Sequence, residues 1–346
     1  MSQVRVLIAD DSPMAQSVIR TVLESDPDIR VVGTAGNGME AVSLSSELRP
    51  DVITMDINMP HMNGFEAIQK IMASHPTPIL VITSSREAGT AFKSLSFGAL
   101  EVMEKPQLEA DFQASNFEDF NRRIKMISRV KVVTHLSGKN RRIELSVQKP
   151  RMSRMVAIVS STGGPRALAA ILGLLPSTLA APVLIVQHMA DGFMEGLVSW
   201  LQGISPLRVK MAEDNERLTD GTVYVAPSGR HLTVDVRLRL CLSPGNASDG
   251  HCPSGNVLLE SLAHTAGSRC MGILLTGMGS DGASGLQALR ASGGRALVQD
   301  EQSCLIYGMP KAAIENGAAE QALPLDGLAG EIIQYAGLST AAATGL

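Results

Sequence analysis

The chain encodes an α/β protein of two doubly wound, parallel-sheet domains. Short β-rich apolar runs alternate with helical stretches of about 10 to 15 residues, the rhythm of strands joined by crossover helices. That rhythm occurs twice, and a basic polar stretch interrupts it: from residue 121 to 154 eleven Lys or Arg stand against a single acid, Glu144. With 346 residues, 45% of them hydrophobic, there is material for two cores in domains of roughly 150 residues each. The expected organisation is a domain over 1–106, a linker over 107–154, a second domain over 155–335 and a tail over 336–346.

Composition removes several classes of function. A net charge of -4 argues against a chain that grips phosphate backbones, which needs a basic surface, so no nucleic-acid partner is expected. The start, MSQVRVLIADDS, has no basic and apolar leader, and no run reaches the roughly 18 apolar residues of a membrane span. A cytoplasmic protein without membrane insertion is expected. The cysteines, Cys241, Cys252, Cys270 and Cys304, lack CxxC spacing, so they read as reduced, packed thiols rather than a zinc site or a disulfide framework.

In the first half, strands are expected at 4–9, 31–34, 52–55, 79–83 and 101–103. Ser12-Pro13 offers an N-cap and a proline at the first helical position, and Asn63-Gly64 precedes the amphipathic run FEAIQKIM, so helices begin there. In such sheets ligands bind beyond the carboxyl ends of the strands. Those ends carry Asp10 and Asp11, then Asp56, then Thr83, then Lys105. Each alone has an ordinary use as a cap or turn residue, but together at four strand ends they describe a site. Converging carboxylates repel, and a hard divalent cation such as Mg²⁺ relieves them while sharing phosphate oxygens and water. An aspartate can also act as a nucleophile and carry a phosphoryl group stabilised by metal, lysine and hydroxyl.

The segments IADDS, TMDINMP, MNG, ITSS and EKP resemble the response-regulator receiver domain, a flavodoxin-like fold, over residues 1–106. The resemblance implies that Asp56 accepts a phosphoryl group from a histidine kinase of the chemotaxis type. It implies that Asp10, Asp11, Asp56 and the Asn58 carbonyl hold Mg²⁺, and that Thr83 and Lys105 contact the phosphoryl group. One position departs: the aromatic switch residue common three places before the lysine is Val102, so the signal cannot travel by the usual aromatic rotamer change.

Between the halves, FEDFNRRIKMISRVKVV keeps helical periodicity and reads as an extension of the last receiver helix. Residues 137–149 are polar and read as a mobile connector. The basic stretch serves either as a solvated connector or as a docking strip for an acidic partner or for the other domain.

The second half begins with a strand at 155–159 followed by SSTGGPRALAAILGLL. Its glycines turn the chain into a helix whose N-terminus offers free N–H groups and the positive dipole end. A hydroxyl there can serve as a nucleophile, with those N–H groups stabilising the anion it creates. The strand PVLIVQHM ends at His188, and MGILLTGMGSDGASGL carries Asp281 in a Gly-rich turn. Hydroxyl, imidazole and carboxylate thus fall on one sheet edge and permit a Ser–His–Asp relay. His231, His251 and His264 are rival bases by sequence, and Asp281-Gly282 can equally be a plain turn.

SSTGGPRAL, IVQHM, YVAPSGRH, ILLTGMGSDGASG and IYGMPKAAI resemble the catalytic domain of the bacterial chemotaxis protein-glutamate methylesterases, a Rossmann-like α/β domain, over residues 155–335. The resemblance implies Ser161 as nucleophile, His188 as base, Asp281 as orienting acid and oxyanion stabilisation at Thr162 and Met278. It implies a phosphorylation-activated serine esterase that hydrolyses glutamate γ-methyl esters on methyl-accepting chemoreceptors to glutamate and methanol. Deamidation of receptor glutamines would use the same acyl chemistry, and ester hydrolysis would need no cofactor. Two segments depart. Val159-Ser160 stands where the family often has Gly-Ala, so a serine crowds the strand exit, and His251-Cys252-Pro253-Ser254-Gly255-Asn256 replaces an HRPSVD-like segment, which puts substrate contacts in question. These departures and Val102 keep a second reading open: a partner-binding module, engaged on phosphorylation, with a catalytically weak effector domain.

Overall fold

A computed structural model describes residues 3–84, 88–106, 114–132, 145–147, 154–245 and 250–340. The chain divides into two compact units, Met1–Gly138 and Lys139–Leu346.

The first unit follows the order β1 (Val4–Ala9), α1 (Pro13–Glu24), β2 (Ile29–Ala35), α2 (Gly38–Leu48), β3 (Val52–Met55), α3 (Gly64–Ser74), β4 (Ile79–Thr83), the single turns α4 (Ala88–Ala91) and α5 (Lys93–Ser96), β5 (Glu101–Glu104) and α6 (Ala114–Ile127). Its strands lie in the order β2-β1-β3-β4-β5, and every neighbouring pair is parallel. This is the flavodoxin-like arrangement, with its switch point between β1 and β3. Central strands covered on both faces read as unbroken apolar runs; accordingly Val6, Leu7, Ile8, Ala9, Val52 and Ile53 are wholly buried. The helix starts obey the local signals. Ser12 Oγ accepts from Ala15 N at 3.3 Å and Asn63 Oδ1 from Glu66 N at 3.0 Å. Val102 is buried in β5 beside Val81.

The first unit extends past residue 106, where the sequence reading placed the linker. Helix α6 buries Phe120, Ile124 and Ile127. Asn121 Nδ2 donates to Val22 O at 2.8 Å, and Arg123 pairs with the buried Glu101 at 2.6 Å. The expected mobile connector over 137–149 lies, apart from 145–147, outside the described residues.

The second unit contains β6 (Leu145–Val147), β7 (Met155–Ser160), α7 (Gly164–Leu174), β8 (Val183–Gln187), α8 (Met194–Ile204), β9 (Arg208–Met211), β10 (Thr222–Val225), β11 (Arg230–Val234), β12 (Leu240–Pro244), α9 (Gly255–Thr265), β13 (Cys270–Leu274), α10 (Ala283–Ala291), β14 (Arg295–Gln299), α11 (Met309–Glu315), β15 (Gln321–Leu323), α12 (Leu325–Tyr335) and β16 (Leu338–Thr340). Seven strands form one sheet in the order β15-β14-β13-β7-β8-β10-β9, parallel throughout. The chain leaves β7 toward β8, β9 and β10. It passes through the antiparallel hairpin β11–β12 and α9, then returns to β13 on the other side of β7. The strand order therefore reverses between β7 and β13, which opens a crevice beyond their carboxyl ends. Helices α7, α8 and α12 pack together, as do α9, α10 and α11. The stretch read as a tail contributes β16, paired antiparallel with β6. The four cysteines are free thiols, Cys270 buried and the other three half-buried. Among the described residues no helix is long and apolar enough to cross a membrane.

Candidate functional site

The crevice at the β7/β13 reversal collects the residues picked out by sequence. Ser161 directly follows β7 and is 5% exposed. Its N–H donates to Thr276 O at 3.1 Å, which ties the turn after β7 to the end of β13. His188 follows β8, its N–H donating to Ser160 O at 3.0 Å. Asp281 lies in the turn between β13 and α10. His188 Nε2 and Asp281 Oδ2 are 2.8 Å apart, whereas Nδ1 of the same ring is buried without a hydrogen-bond partner. Chymotrypsin-type relays use the opposite assignment, with the acid on Nδ1. A neutral ring that donates Nε2–H to Asp281 keeps its lone pair on Nδ1, so Nδ1 is the atom able to take a hydroxyl proton. His188 and Asp281 are thus joined through Nε2, and Nδ1 is left without a partner.

Asp281 is held by more than the histidine. Ser254 Oγ donates to Oδ1 at 2.8 Å, Gly255 N to Oδ2 at 2.6 Å and Asn256 N to Oδ1 at 3.1 Å. The carboxylate therefore sits on the N-terminus of α9, where unpaired N–H groups and the helix dipole favour negative charge. Burial opposes ionisation of Asp281, but the hydrogen bond from His188 and those from Gly255 and Asn256 outweigh it and hold the carboxyl well below its usual range. An acid fixed as an anion orients the imidazole and stabilises its protonated form.

This assigns a role to the segment whose departure from HRPSVD raised doubt about substrate contacts. Residues 254–256 grip Asp281, and Asn256 Oδ1 also accepts from Gly285 N at 2.9 Å, locking α9 to α10. Ser254 and Asn256 were missed by sequence reasoning. The available signal was Ser254 as an N-cap before the apolar run NVLLESL; its Oγ accepts from Val257 N at 3.4 Å. The rival histidines separate from His188 by their partners. His231 is buried and its Nδ1 accepts from Ser254 N at 3.3 Å, bracing the cap. His264 donates to Glu260 O on its own helix. His251 packs edge-on against His188, ring centroids 4.4 Å apart.

Thr162 directly follows Ser161, and Met278 directly follows Gly277. Thr162 is wholly buried, and its Oγ1 has no hydrogen-bond partner. A Cβ on Gly277 would stand 2.7 Å from Ser161 Cβ and 3.1 Å from Ser161 N, so only glycine lets the turn carrying Met278 pass this close. Ser160 does not crowd the strand exit: its side chain is buried and donates to Gln187 Oε1 at 2.6 Å.

In the first unit, Asp10, Asp11 and Asp56 bring carboxylate oxygens within 4.8 Å of one another. Lys105 Nζ lies 2.8 Å from Asp10 Oδ2 and 2.8 Å from Asp56 Oδ2. Burial pushes the Asp56 pKa upward, against the pull of Lys105. Burial works to lower that of Lys105, but its two carboxylate partners prevail and raise it. Asp56 Oδ1 accepts from Ile57 N at 2.8 Å and Oδ2 from Lys105 Nζ at 2.8 Å, so both oxygens of the carboxylate are held. Thr83 ends β4 fully buried, its carbonyl accepting from Lys105 N at 2.9 Å, and Asn58 is exposed just beyond Asp56. Three hard oxygen donors with more negative charge than one lysine offsets fit a divalent cation that keeps part of its water shell, as Mg²⁺ does.

Residues 156–332 match the CheB methylesterase family, and residues 6–115 match the response regulator receiver domain. The chain is 42% identical over 323 residues to protein-glutamate methylesterase/protein-glutamine glutaminase 2 of Anaeromyxobacter dehalogenans, an alignment covering 93% of this chain and 94% of the relative. It is 38% identical over 352 residues to the corresponding protein 3 of Paramagnetospirillum magneticum, covering 99% and 98%. The crystal structure of the Thermotoga maritima CheB methylesterase catalytic domain covers 53% of this chain and 99% of its own, at 35% identity and a TM-score of 0.52. Taken with the two sites, these likenesses make the chain a member of the CheB methylesterase family, with a response-regulator receiver domain ahead of its methylesterase domain.

Proposed function

We propose that this chain is a phosphorylation-controlled serine esterase that converts glutamyl γ-methyl esters on chemoreceptors to glutamate and methanol. The observation that carries the reading is the His188–Asp281 pair, 2.8 Å apart, placed at the strand-order reversal beside Ser161. Ser161 Oγ attacks the ester carbonyl while His188 Nδ1 takes its proton, and the protonated ring faces the anionic Asp281. The tetrahedral oxyanion forms at the N-terminus of α7, between the Thr162 and Met278 positions. Collapse returns the proton to methoxide, methanol leaves, and an acyl-serine remains. Water deprotonated by His188 then hydrolyses it. Receptor glutamines would react by the same steps with ammonia as leaving group, as the relatives' second name, protein-glutamine glutaminase, suggests. None of these steps calls on a cofactor.

Control enters at the receiver. A histidine kinase of the chemotaxis type supplies the phosphoryl group to Asp56 in the cytoplasm, the compartment proposed for the chain. Mg²⁺ held by Asp10, Asp11, Asp56 and the Asn58 carbonyl would offset charge on the phosphoryl oxygens. Lys105 and Thr83 would contact those oxygens, and phosphorylation would shift the population toward an active arrangement. The binding-module alternative loses its main motive, because the unusual segment 251–256 supplies three hydrogen bonds to Asp281.

The test is methanol release from methylated receptor membranes, with and without a small phosphodonor plus Mg²⁺. Wild-type release should rise with the phosphodonor, Asp56→Asn should keep only the basal rate, and Ser161→Ala should release none. Equal release by Ser161→Ala would refute the assignment.

A further inference from the structure

We infer that Gln187, locked by Ser160, is a positioning residue that aims the oxyanion-binding peptide and the catalytic histidine together. The inference rests on the esterase reading above and names a component that reading does not use.

Gln187 closes β8 and is 1% exposed. Its Nε2 donates to Ser161 O at 2.9 Å and to His188 O at 2.9 Å, so one buried amide holds the main chain of nucleophile and base. Its orientation is chemically forced, because two carbonyls require a donor and a flipped amide would point oxygen at oxygen. The remaining Oε1 accepts from Ser160 Oγ at 2.6 Å, and Ser160 is wholly buried. An alanine at 160 would leave Oε1 buried without that partner. Helix α7 makes room for the device: a Cβ on Gly164 would lie 2.1 Å from Gln187 Oε1 and 2.8 Å from Ser160 Oγ.

The consequence follows from peptide planarity. Ser161 C=O and Thr162 N–H belong to one rigid plane. Ser161 O accepts from both Gly164 N at 2.7 Å and Gln187 Nε2, which occupies both of its lone pairs and fixes the plane. Thr162 N–H, the donor expected to meet the oxyanion, is thereby aimed by Gln187. Since the oxyanion exists only after attack, loss of the clamp should lower kcat with little change in KM.

Gln187→Glu is isosteric and tests the electrostatics. A neutral carboxyl has one proton for two carbonyls, and an ionised one has none. We expect kcat of the full chain to drop about tenfold or more with KM within about twofold. The variant should also lose further activity as pH rises through ionisation of the new carboxyl, a descending limb that wild type lacks. Ser160→Ala should give a smaller fall in kcat without that limb. A packing role alone would move the melting temperature and leave the pH profile unchanged. The assay is methanol release from methylated receptor membranes, with Ser161→Ala alongside. Should Gln187→Glu fail to fold, Ser160→Ala decides by its kcat. If Ser161→Ala abolishes release while Gln187→Glu and Ser160→Ala keep wild-type kcat across pH, the clamp is overturned and the esterase stands. If Ser161→Ala keeps wild-type release, the esterase reading fails instead.

Discussion

Gly255→Ala should damage this enzyme through a single methyl group. Gly255 is the first residue of α9, and its N–H lies 2.6 Å from Asp281 Oδ2. A Cβ built there would stand 2.4 Å from Val159 Cγ1, 3.0 Å from Cγ2 and 3.2 Å from Cβ. Carbon atoms in contact prefer about 3.5 to 4.0 Å, so the start of α9 must retreat by about 1 Å. That takes the 2.6 Å bond to the margin of hydrogen bonding. Overpacking costs about 1 to 3 kcal/mol, and a hydrogen bond to a charged group is worth about 1.5 to 3 kcal/mol. Alanine's better helix propensity returns at most about 1 kcal/mol, so the clash wins. A displacement of about 1 Å in a catalytic group can cost about a hundredfold, and kcat for methanol release should fall by about ten- to a hundredfold. Stability of the second unit can be followed separately through Trp200, the one tryptophan of the chain. Val159→Ala removes Cγ1 and Cγ2 and leaves Cβ at 3.2 Å, so it should rescue Gly255→Ala, with a coupling of at least about 1 kcal/mol in the double-mutant cycle. Wild-type activity in Gly255→Ala, or effects that simply add, would refute the reasoning.

Three further outcomes follow from the two sites. Ser254→Ala removes a 2.8 Å bond to Asp281 and the α9 cap, and should lower kcat about tenfold and stability by about 1 kcal/mol, read by methanol release and Trp200 fluorescence. The folded-state pKa of Asp281 is depressed from 3.8, so the stability it lends is complete above the unfolded value and drains as pH falls through the folded one. Asp281→Asn should therefore flatten the acid side of the Trp200-monitored stability curve. Asp56 has the opposite sign: burial raises its pKa, so its contribution is present below the unfolded value and is lost as pH rises through the folded one. Asp56→Asn should raise the receiver's melting temperature at neutral pH, measured by calorimetry without Mg²⁺, and abolish stimulation by a phosphodonor.

Much of this molecule is legible in one dimension because apolar runs mark strands, and the residue after each run falls on the ligand-binding edge. That reasoning puts Asp10, Asp56, Lys105, His188 and Asp281 on the two sheet edges without knowledge of sheet order, whereas Ser161 rather than Ser160 comes from the family resemblance. What stays hidden depends on distance. The exchanged nitrogens of His188 follow from where the N-terminus of α9 holds Asp281. Val159 and Gly255 read as two unrelated departures, yet each occupies the space the other leaves. Ser160 reads as an intrusion until Gln187 appears beside it. The periodicity of α6 shows a helix but not that Asn121 and Arg123 bind it to Val22 and Glu101. The pairing of β6 with β16 rests on two three-residue strands nearly two hundred positions apart, below any pattern that alternation can register.

If Ser161, His188 and Asp281 act as one catalytic unit, their losses of activity are non-additive. Methanol release from methylated receptor membranes should be compared for Ser161→Ala, His188→Ala and the double variant, all phosphorylated on Asp56. The double variant should be no slower than Ser161→Ala alone, because a base without its nucleophile has nothing to activate. Losses that multiply, or a Ser161→Ala chain that still turns over, would contradict it.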